Sequence, residues 1–154
     1  MQYGCIGEHL VHSFSKEIHA QLQDYLYELK EIPQDQLDIF MTQRDFRAIN
    51  VTIPYKEEVI PLLDELSPEA EAIGAVNVIK IEHLSDGSIR LIGHNTDVIG
   101  FRESIRPLLT YNHTKAMILG TGGASKAVEH ALRAFDIEVQ FVSRSHNKSA
   151  MTYS

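Results

Sequence analysis

A glycine-rich segment, Gly120-Thr121-Gly122-Gly123-Ala124, is the strongest indication of the fold in this sequence. It lies between a short apolar run at residues 116–119 and a helical pattern at residues 125–135, and a second apolar run follows at 139–142. A strand, a glycine turn, a helix and a second strand form the unit that binds dinucleotides, because glycine lets backbone amides and the helix N-terminus approach a pyrophosphate. The generic fingerprint has Gly or Ala where Ser125 stands, so the motif predicts a nucleotide site with one departure.

The end of the second predicted strand indicates which nucleotide is bound. An NAD site places an acidic side chain there to hold the ribose 2′-hydroxyl. This chain instead has Ser143 and Arg144, followed by Ser145 and Lys148. Two cations and two hydroxyls suit a 2′-phosphate, so we predict NADP, with an ordinary solvated basic loop as the alternative. No further strand or helix is predicted after residue 143.

The part of the chain before the glycine turn alternates short apolar runs with helix-like stretches, which is typical of an α/β architecture. A buried strand is predicted at residues 48–53, and Pro54 is predicted to start the next helix. The composition restarts after about residue 110. We expect two domains, at residues 1–100 and 101–154.

Two charged residues lie at predicted helix starts. Lys56 falls in the first turn after Pro54, where the helix dipole disfavours a positive charge. A lysine there should release its proton more easily, which suits a role in proton transfer. Asp97 follows Asn95 and Thr96 at the start of another predicted helix, where an aspartate is usually a cap. From the sequence alone, a solvent-facing lysine and a capping aspartate remain open alternatives.

Three further positions offer polar groups to a ligand. Asn77 lies in an otherwise apolar predicted strand and needs hydrogen-bond partners, which the backbone or a ligand could supply. Ser13 and Ser15 carry hydroxyls on alternate residues, which point to one side of an extended segment, so together with the following helix start they could bind a carboxylate. Ser15 could equally be only the cap of that helix.

Composition excludes several classes of function. The formal net charge of -7 gives no support for a nucleic-acid surface or an anionic membrane surface. The single cysteine rules out an intrachain disulfide and a cysteine-based metal site, and the eight histidines show no metal-ligand spacing. No apolar run approaches the roughly 20 residues of a membrane span. We therefore expect a cytoplasmic protein without a metal, either an enzyme or an acidic binding module.

Taken together and in this order, these segments resemble shikimate dehydrogenases. The family's His-Ser-x-Ser segment is matched by His12, Ser13 and Ser15, and its Asn-Val-Thr-x-Pro-x-Lys segment by residues 50–56. The other matched segments are Gly74-Ala75-Val76-Asn77, Gly93 with Asn95-Thr96-Asp97, Gly100-Phe101, the glycine turn, and Ser143-Arg144-Ser145 in place of Asn-Arg-Thr. The resemblance covers essentially the whole chain.

The resemblance implies an α/β fold in two parts, an N-terminal substrate domain with a mainly parallel sheet and the first part of a Rossmann-like NADP-binding domain. It implies reversible hydride transfer between NADPH and 3-dehydroshikimate, giving shikimate, on the route to chorismate and aromatic amino acids. Lys56 would exchange the proton with the reacting oxygen beside Asp97. Ser13 and Ser15 would hold the carboxylate of the substrate. The hydroxyls of the substrate would be bound by Thr52, Asn77 and Asp97.

The chain departs from the family most in length. Family members continue for roughly another 100 residues, about one domain, so we expect a truncated chain with little activity alone. Smaller departures, His9 and Lys16 in place of proline, touch none of the site residues. Two alternatives stay open: a quinate/shikimate dehydrogenase that uses NAD, against which Arg144 argues, and a non-catalytic ligand-binding fragment. An open sheet edge in the second domain would favour a homodimer.

Overall fold

The computed structural model describes residues 1–11, 13–22, 24–144 and 150–152. In these ranges the backbone forms two sheets with helices packed against them, which confirms the predicted α/β class. Within the same ranges, no helix combines the length and the apolar character that crossing a membrane requires.

Six strands form the first sheet. They are β1 (Tyr3–Gly7), β2 (Tyr27–Glu31), β3 (Ala48–Val51), β4 (Glu65–Leu66), β5 (Val78–His83) and β6 (Ile89–His94). Their order across the sheet is β2-β1-β3-β5-β6-β4. β1 runs parallel to β2 and β3, and β4 runs parallel to β6, whereas β5 is antiparallel to both of its neighbours. The sheet is therefore mostly parallel, as expected, with one reversed strand.

Helices cover the sheet and connect it to the second one. The α-helices are α1 (Ser15–Leu22), α2 (Leu37–Gln43), α3 (Pro68–Ile73), α4 (Asp97–Ile105) and α5 (Gly123–Arg133), with short 3-10 helices at Gln34–Gln36, Ile60–Leu62 and Arg106–Leu108. The second sheet has three parallel strands in chain order, β7 (Lys115–Leu119), β8 (Glu138–Ser143) and β9 (Ala150–Thr152). Helix α5 connects β7 to β8, so this unit has the strand–helix–strand order that the glycine turn predicts.

Two hydrophobic clusters explain how the parts hold together. The larger one buries the apolar face of the first sheet, including Ile6, Ile79 and Leu91, against residues such as Met41 of α2. A smaller cluster lies between the sheets and is formed by Ile73, Ala75, Val98, Ala127 and Ala131. The small alanine side chains let α5 approach α3 and α4 closely. We call the first sheet with α1–α3 the first lobe, and the second sheet with α5 the second lobe.

Residues 53–59 form consecutive turns instead of the helix predicted to begin at Pro54. The backbone carbonyl of Lys56 accepts a hydrogen bond from the Val76 N–H at 2.7 Å. This bond directs the carbonyl toward the segment that precedes β5 rather than along a helix axis. The helix prediction is therefore wrong, because a long-range backbone contact replaces the local one.

The second sheet also differs from the expectation of two strands. β9 pairs with β8, with Ala150 opposite Phe141, and so adds a third parallel strand. Its described part covers three residues, which is too short for an alternating pattern to be recognised in the sequence. The outer edge of β8 is therefore paired, and the expected open edge is not at that strand.

Candidate functional site

Three polar side chains that are distant in sequence meet where the first lobe faces α5. The Lys56 Nζ donates to Asp97 Oδ2 at 2.5 Å. Asn77 donates through Nδ2 to the other oxygen, Asp97 Oδ1, at 2.8 Å. The turns after β3 supply the lysine, the residue before β5 supplies the amide, and the first residue of α4 supplies the carboxylate. The structure thus brings together three of the residues predicted for the substrate site.

The Asn77 amide is nearly buried and uses both of its ends. Its Oδ1 accepts from the Thr96 N–H at 2.8 Å, and its Nδ2 also donates to the Thr96 hydroxyl at 2.9 Å. Asn77 therefore bonds the Thr96 backbone and the Asp97 carboxylate at once, which supports the backbone interpretation of its amide, and its contact with a ligand stays a prediction. Because the amide bonds both Thr96 and Asp97, it fixes the start of α4 against β5.

Asp97 does not cap its own helix. The Oδ1 atom of Asn95 accepts from the Val98 N–H at 3.3 Å, and its Nδ2 donates to the Ala75 carbonyl at 2.9 Å. The amide of Asn95 therefore serves the helix start. The carboxylate of Asp97 is left to bind Lys56, so the capping alternative for Asp97 is wrong.

Lys56 is not at a helix start, so the helix dipole does not account for a proton-transfer role. Its side chain is 14% exposed and that of Asp97 is 35% exposed. The pair is thus shielded on the lysine side and open to solvent on the carboxylate side. A partly buried ammonium held by one carboxylate can pass a proton to a ligand oxygen that reaches it, because the two groups already define its position.

The predicted hydroxyl residues line a cavity of about 550 Å³. Ser13, Ser15 and Thr52 all face it, together with Cys5 and His9. The Ser15 N–H, at the first residue of α1, donates to the Ser13 hydroxyl at 3.4 Å. Hydroxyls beside a helix N-terminus suit a carboxylate, so the structure supports the grouping that the sequence predicts. His12 lies outside the described residues.

Cys5 lines the cavity and lies within electrostatic range of Lys56. Burial raises the pKa of the Cys5 thiol from 9.0 to about 11, and the positive charge of Lys56 opposes that rise. Lys56 therefore acts electrostatically on Cys5, a residue that lines the same cavity as Ser13 and Ser15. Among the described residues, no group of three or more side chains is arranged to hold a metal ion.

Tyr27 is a site neighbour that the sequence analysis missed. Its hydroxyl donates to Asn50 Oδ1 at 2.6 Å, and its ring stacks on His19 of α1 with centroids 3.9 Å apart. Burial raises the pKa of the Tyr27 hydroxyl, and a contact with Ser15 lowers it in part. Tyr27 therefore ties α1 to β3 beneath the serine pair. Its position at the start of β2 carried no signal of this role in the sequence.

The glycine turn has the geometry expected of a phosphate-binding turn. Gly120 has a φ of 117°, which favours glycine, and its N–H donates to the Val142 carbonyl at 2.8 Å. Gly122 is the N-cap of α5, so the helix begins at Gly123, two residues before the predicted start. The turn residues Thr121, Gly122 and Ala124 are exposed. Backbone amides at this helix N-terminus can therefore reach an anion.

The predicted 2′-phosphate residues lie beside that turn in part. The bond between Gly120 and Val142 places the end of β8 next to the turn. Ser143 ends β8 and is nearly buried, whereas Arg144 follows it and is exposed. Lys148 and Ser145 lie outside the described residues. The glycine backbone, the helix N-terminus and the Arg144 guanidinium are the groups a dinucleotide phosphate requires, so the described residues fit NADP.

An α/β protein with a mostly parallel first sheet, a glycine turn opening a helix and a partly buried lysine–carboxylate pair has the architecture of two-lobed nucleotide-dependent enzymes. Comparison with known proteins specifies the class further. Residues 5–79 match the shikimate dehydrogenase substrate binding domain. The chain is 39% identical to the shikimate dehydrogenase (NADP(+)) of Carboxydothermus hydrogenoformans, over 95% of this chain and 54% of that protein.

Solved structures give the same result. The chain matches shikimate dehydrogenase 1 of Peptoclostridium difficile with a TM-score of 0.82 and 34% identity, over 99% of this chain and 61% of that one. It matches the Thermus thermophilus enzyme, solved in complex with NADP(H) and shikimate, with a TM-score of 0.81 and 30% identity, over 100% of this chain and 63% of that one. The predicted resemblance to shikimate dehydrogenases is therefore confirmed, and the chain spans 54–63% of the length of these three relatives.

Proposed function

We propose that this protein is an NADP-dependent oxidoreductase that interconverts 3-dehydroshikimate and shikimate. The observation that carries the proposal is the 2.5 Å contact between Lys56 and Asp97, which provides an acid–base pair whose lysine lies four residues after Thr52, a residue of the hydroxyl-lined cavity. The named activity of the relatives and the shikimate bound in the Thermus thermophilus structure agree with it. The division into a substrate domain at residues 1–100 and a Rossmann-like part at 101–154 belongs to the same proposal.

The roles of the residues follow from where their polar atoms lie. In the reducing direction the Lys56 ammonium gives its proton to the carbonyl oxygen of the substrate as that oxygen gains negative charge. Asp97 keeps the ammonium oriented during this step, and in the oxidising direction the neutral amine takes the proton back. The nicotinamide of NADPH, when bound, supplies the hydride. Lys56 therefore handles only the proton, and its position decides the rate of that transfer.

The substrate would be bound by the groups around the cavity. Ser13 and Ser15 would hold the carboxylate, supported by the N-terminus of α1. Thr52, Asn77 and Asp97 would accept from or donate to the ring hydroxyls. These assignments use the lining of the cavity and the hydrogen bonds of Asn77 as their support. A polar ring acid of this kind matches a cavity with several hydroxyls and one cation near it.

The cofactor would lie along the glycine turn. The amides of residues 120–124 would bind the pyrophosphate, and Ser143, Arg144 and Lys148 would surround the 2′-phosphate. The φ of Gly120 and the exposure of Arg144 beside the turn support this placement. A homodimer and a cytoplasmic location remain predictions of the sequence.

The test is a spectrophotometric assay, with shikimate and NADP⁺, of the full-length protein, because we expect little activity from the 154-residue chain alone. We expect NADPH to form with shikimate, and to form faster than NADH does with NAD⁺ or than NADPH does with quinate. Faster turnover with NAD⁺ and quinate would instead support the quinate/shikimate alternative. Binding of shikimate by calorimetry without any turnover would identify a non-catalytic binding protein.

A further inference from the structure

Gly123 is the first residue of α5, and it faces Lys56. A Cβ placed on Gly123 would lie 3.0 Å from Lys56 Cβ, 3.5 Å from Lys56 Cδ and 3.4 Å from Ala75 Cβ. Nonbonded carbon atoms prefer separations of about 3.5–4.0 Å. A side chain at residue 123 would therefore press on Lys56 Cβ, which would have to give by a few tenths of an ångström.

This requirement differs from that of the other glycines in the turn. Gly120 needs glycine because its φ is 117°, and a Cβ on Gly122 would meet nothing within 4 Å. Gly123 is helical and does not require glycine for its backbone conformation. It also stands at a position that the general dinucleotide fingerprint leaves free. The contact with Lys56 is thus a separate reason for glycine here.

We infer that Gly123 is a positioning residue for Lys56, an inference that rests on the proposed role of Lys56 in proton transfer. Lys56 is fixed on one side by the bond from the Val76 N–H to its carbonyl and at its tip by Asp97. The first turn of α5 closes the remaining side of its aliphatic stem. The missing side chain at residue 123 sets how near the cofactor-binding helix stands to the lysine.

A methyl group at residue 123 must displace either the lysine or the helix. Helix α5 is restrained by buried Ala127 and Ala131, which pack against α3 and α4, and by the Lys126–Glu57 ion pair at 2.6 Å. The closest contact is with Lys56 Cβ, so the added methyl group acts at the root of the side chain rather than at its flexible end. A shift of a few tenths of an ångström at Cβ grows toward Nζ, and proton transfer depends on a donor–acceptor reach of about 2.6–3.2 Å. The variant should therefore loosen the contact between Lys56 and Asp97.

The experiment is pulsed acetylation of the 154-residue chain with acetic anhydride, read by mass spectrometry at each lysine. In Gly123→Ala we expect Lys56 to react about three-fold faster or more, since loss of even part of a charge-assisted hydrogen bond has that effect. Lys30 and Lys80 serve as internal references whose rates stay unchanged. Gly100→Ala is the matched control, because a Cβ there meets nothing within 4 Å. An unchanged Lys56 rate, or acceleration only at Lys126, overturns the inference.

A second variant covers the case in which Gly123→Ala does not fold. The Lys56→Gly background removes the Cβ that lies 3.0 Å from the added methyl. Gly123→Ala should fold in that background if the lysine is the obstacle, and remaining unfolded there would contradict the inference. Acetylation needs neither substrate nor cofactor. Its outcome is therefore independent of whether the protein proves to be a shikimate dehydrogenase.

Discussion

Asp97 contacts Lys56 and Asn77 through different carboxylate oxygens. This division matters because a carboxylate held at both oxygens cannot rotate away from the ammonium. The pair is partly exposed, so it contributes little to the free energy of unfolding. Its role is to orient the Lys56 ammonium. At the scale of single residues, the site is therefore an ammonium group held in place by a fixed carboxylate.

Arg144 should decide which nucleotide the protein prefers. Arg144→Ala removes the exposed guanidinium that we place at the 2′-phosphate, and a charge-assisted hydrogen bond of this kind is worth about 1.5–3 kcal/mol. We expect the KM for NADP⁺ to rise on the order of 10–100-fold, with little change for NAD⁺. Steady-state kinetics with both cofactors measure this. Equal losses with the two cofactors would exclude a 2′-phosphate role.

The Cys5 thiol should make the free energy of unfolding depend on pH in the alkaline range. Its pKa is raised from 9.0 to about 11 in the folded chain, so the folded state keeps a proton that the unfolded state has lost. Unfolding then releases a proton, and the free energy of unfolding falls as the pH rises from 9 to 11, by at most ~3 kcal/mol. Urea unfolding at pH 8, 9.5 and 11 measures it. Cys5→Ala is the control, and an equal decline in that variant would show that Cys5 is not responsible.

The polar residues of the site could be predicted from short motifs, but their contacts could not. Asn77 and Asp97 were identified from the motifs formed by their neighbours in the sequence. The hydrogen bond between them, however, depends on strand pairing and on the start of α4. Tyr27 and Asn95 were missed because their roles exist only through residues that are distant in the chain or on another element. The predicted helix start near Lys56 is wrong for the same reason, because the Val76 N–H bonds the Lys56 carbonyl from a distant part of the chain.

At the scale of elements, the start of α4 carries the site. Asn95→Ala removes the bond that Asn95 Oδ1 accepts from the Val98 N–H, which should cost about 1 kcal/mol of stability, as loss of a cap does, and should also free the segment that holds Asp97. We therefore expect kcat/KM for shikimate to fall on the order of 10-fold, because a displaced Asp97 no longer orients Lys56 for proton transfer. Ser67→Ala is the matched control, because Ser67 caps α3 through Ala70 and lies outside the site.

Thermal unfolding and kinetics on both variants separate the two effects. Asn95→Ala and Ser67→Ala should lose similar stability, and only the former should lose activity. An equal loss of kcat/KM in both variants would show that the activity reports general stability rather than the position of Asp97.

Some elements carry strong local signals in the sequence. α3 follows the Ser67 cap and its last residue, Ile73, precedes the C-cap Gly74, which has a φ of 68°, and both residue types are recognised helix-boundary signals. The strand before the glycine turn and the helix after it were also confirmed. The two-residue β4 and the three-residue β9 were not predicted, because each is defined by a neighbouring strand rather than by its own pattern.

At the scale of the whole molecule, one side chain joins the lobes. Phe101 of α4 packs against the cluster between the lobes and also against the cluster of the second lobe, which includes Ile118 and Leu132. Helix α4 therefore connects the carboxylate of the site with the core beneath the glycine turn. This arrangement gives the lobes a common packing unit.

Phe101→Ala should destabilise both lobes together. Because Phe101 is only partly buried, we expect a loss of about 2 kcal/mol, below the roughly 3–5 kcal/mol for fully buried phenylalanines. Phe14→Ala is the matched control, since Phe14 is 73% exposed and should change stability by less than about 0.5 kcal/mol. Urea unfolding followed by circular dichroism measures both. Two separate transitions in the variant, with only one of them shifted, would contradict a shared packing unit.

Lys56 is the proposed proton carrier of a shikimate dehydrogenase reaction. The most direct test of that role is the kcat of Lys56→Ala in the full-length protein for shikimate oxidation with NADP⁺, with Lys80→Ala as the exposed-lysine control. General acid–base catalysis contributes about 10²–10⁴-fold, so we expect kcat to fall by that factor in Lys56→Ala, with shikimate affinity much less affected and the control unchanged. A Lys56→Ala enzyme that keeps a near-normal kcat would contradict the account.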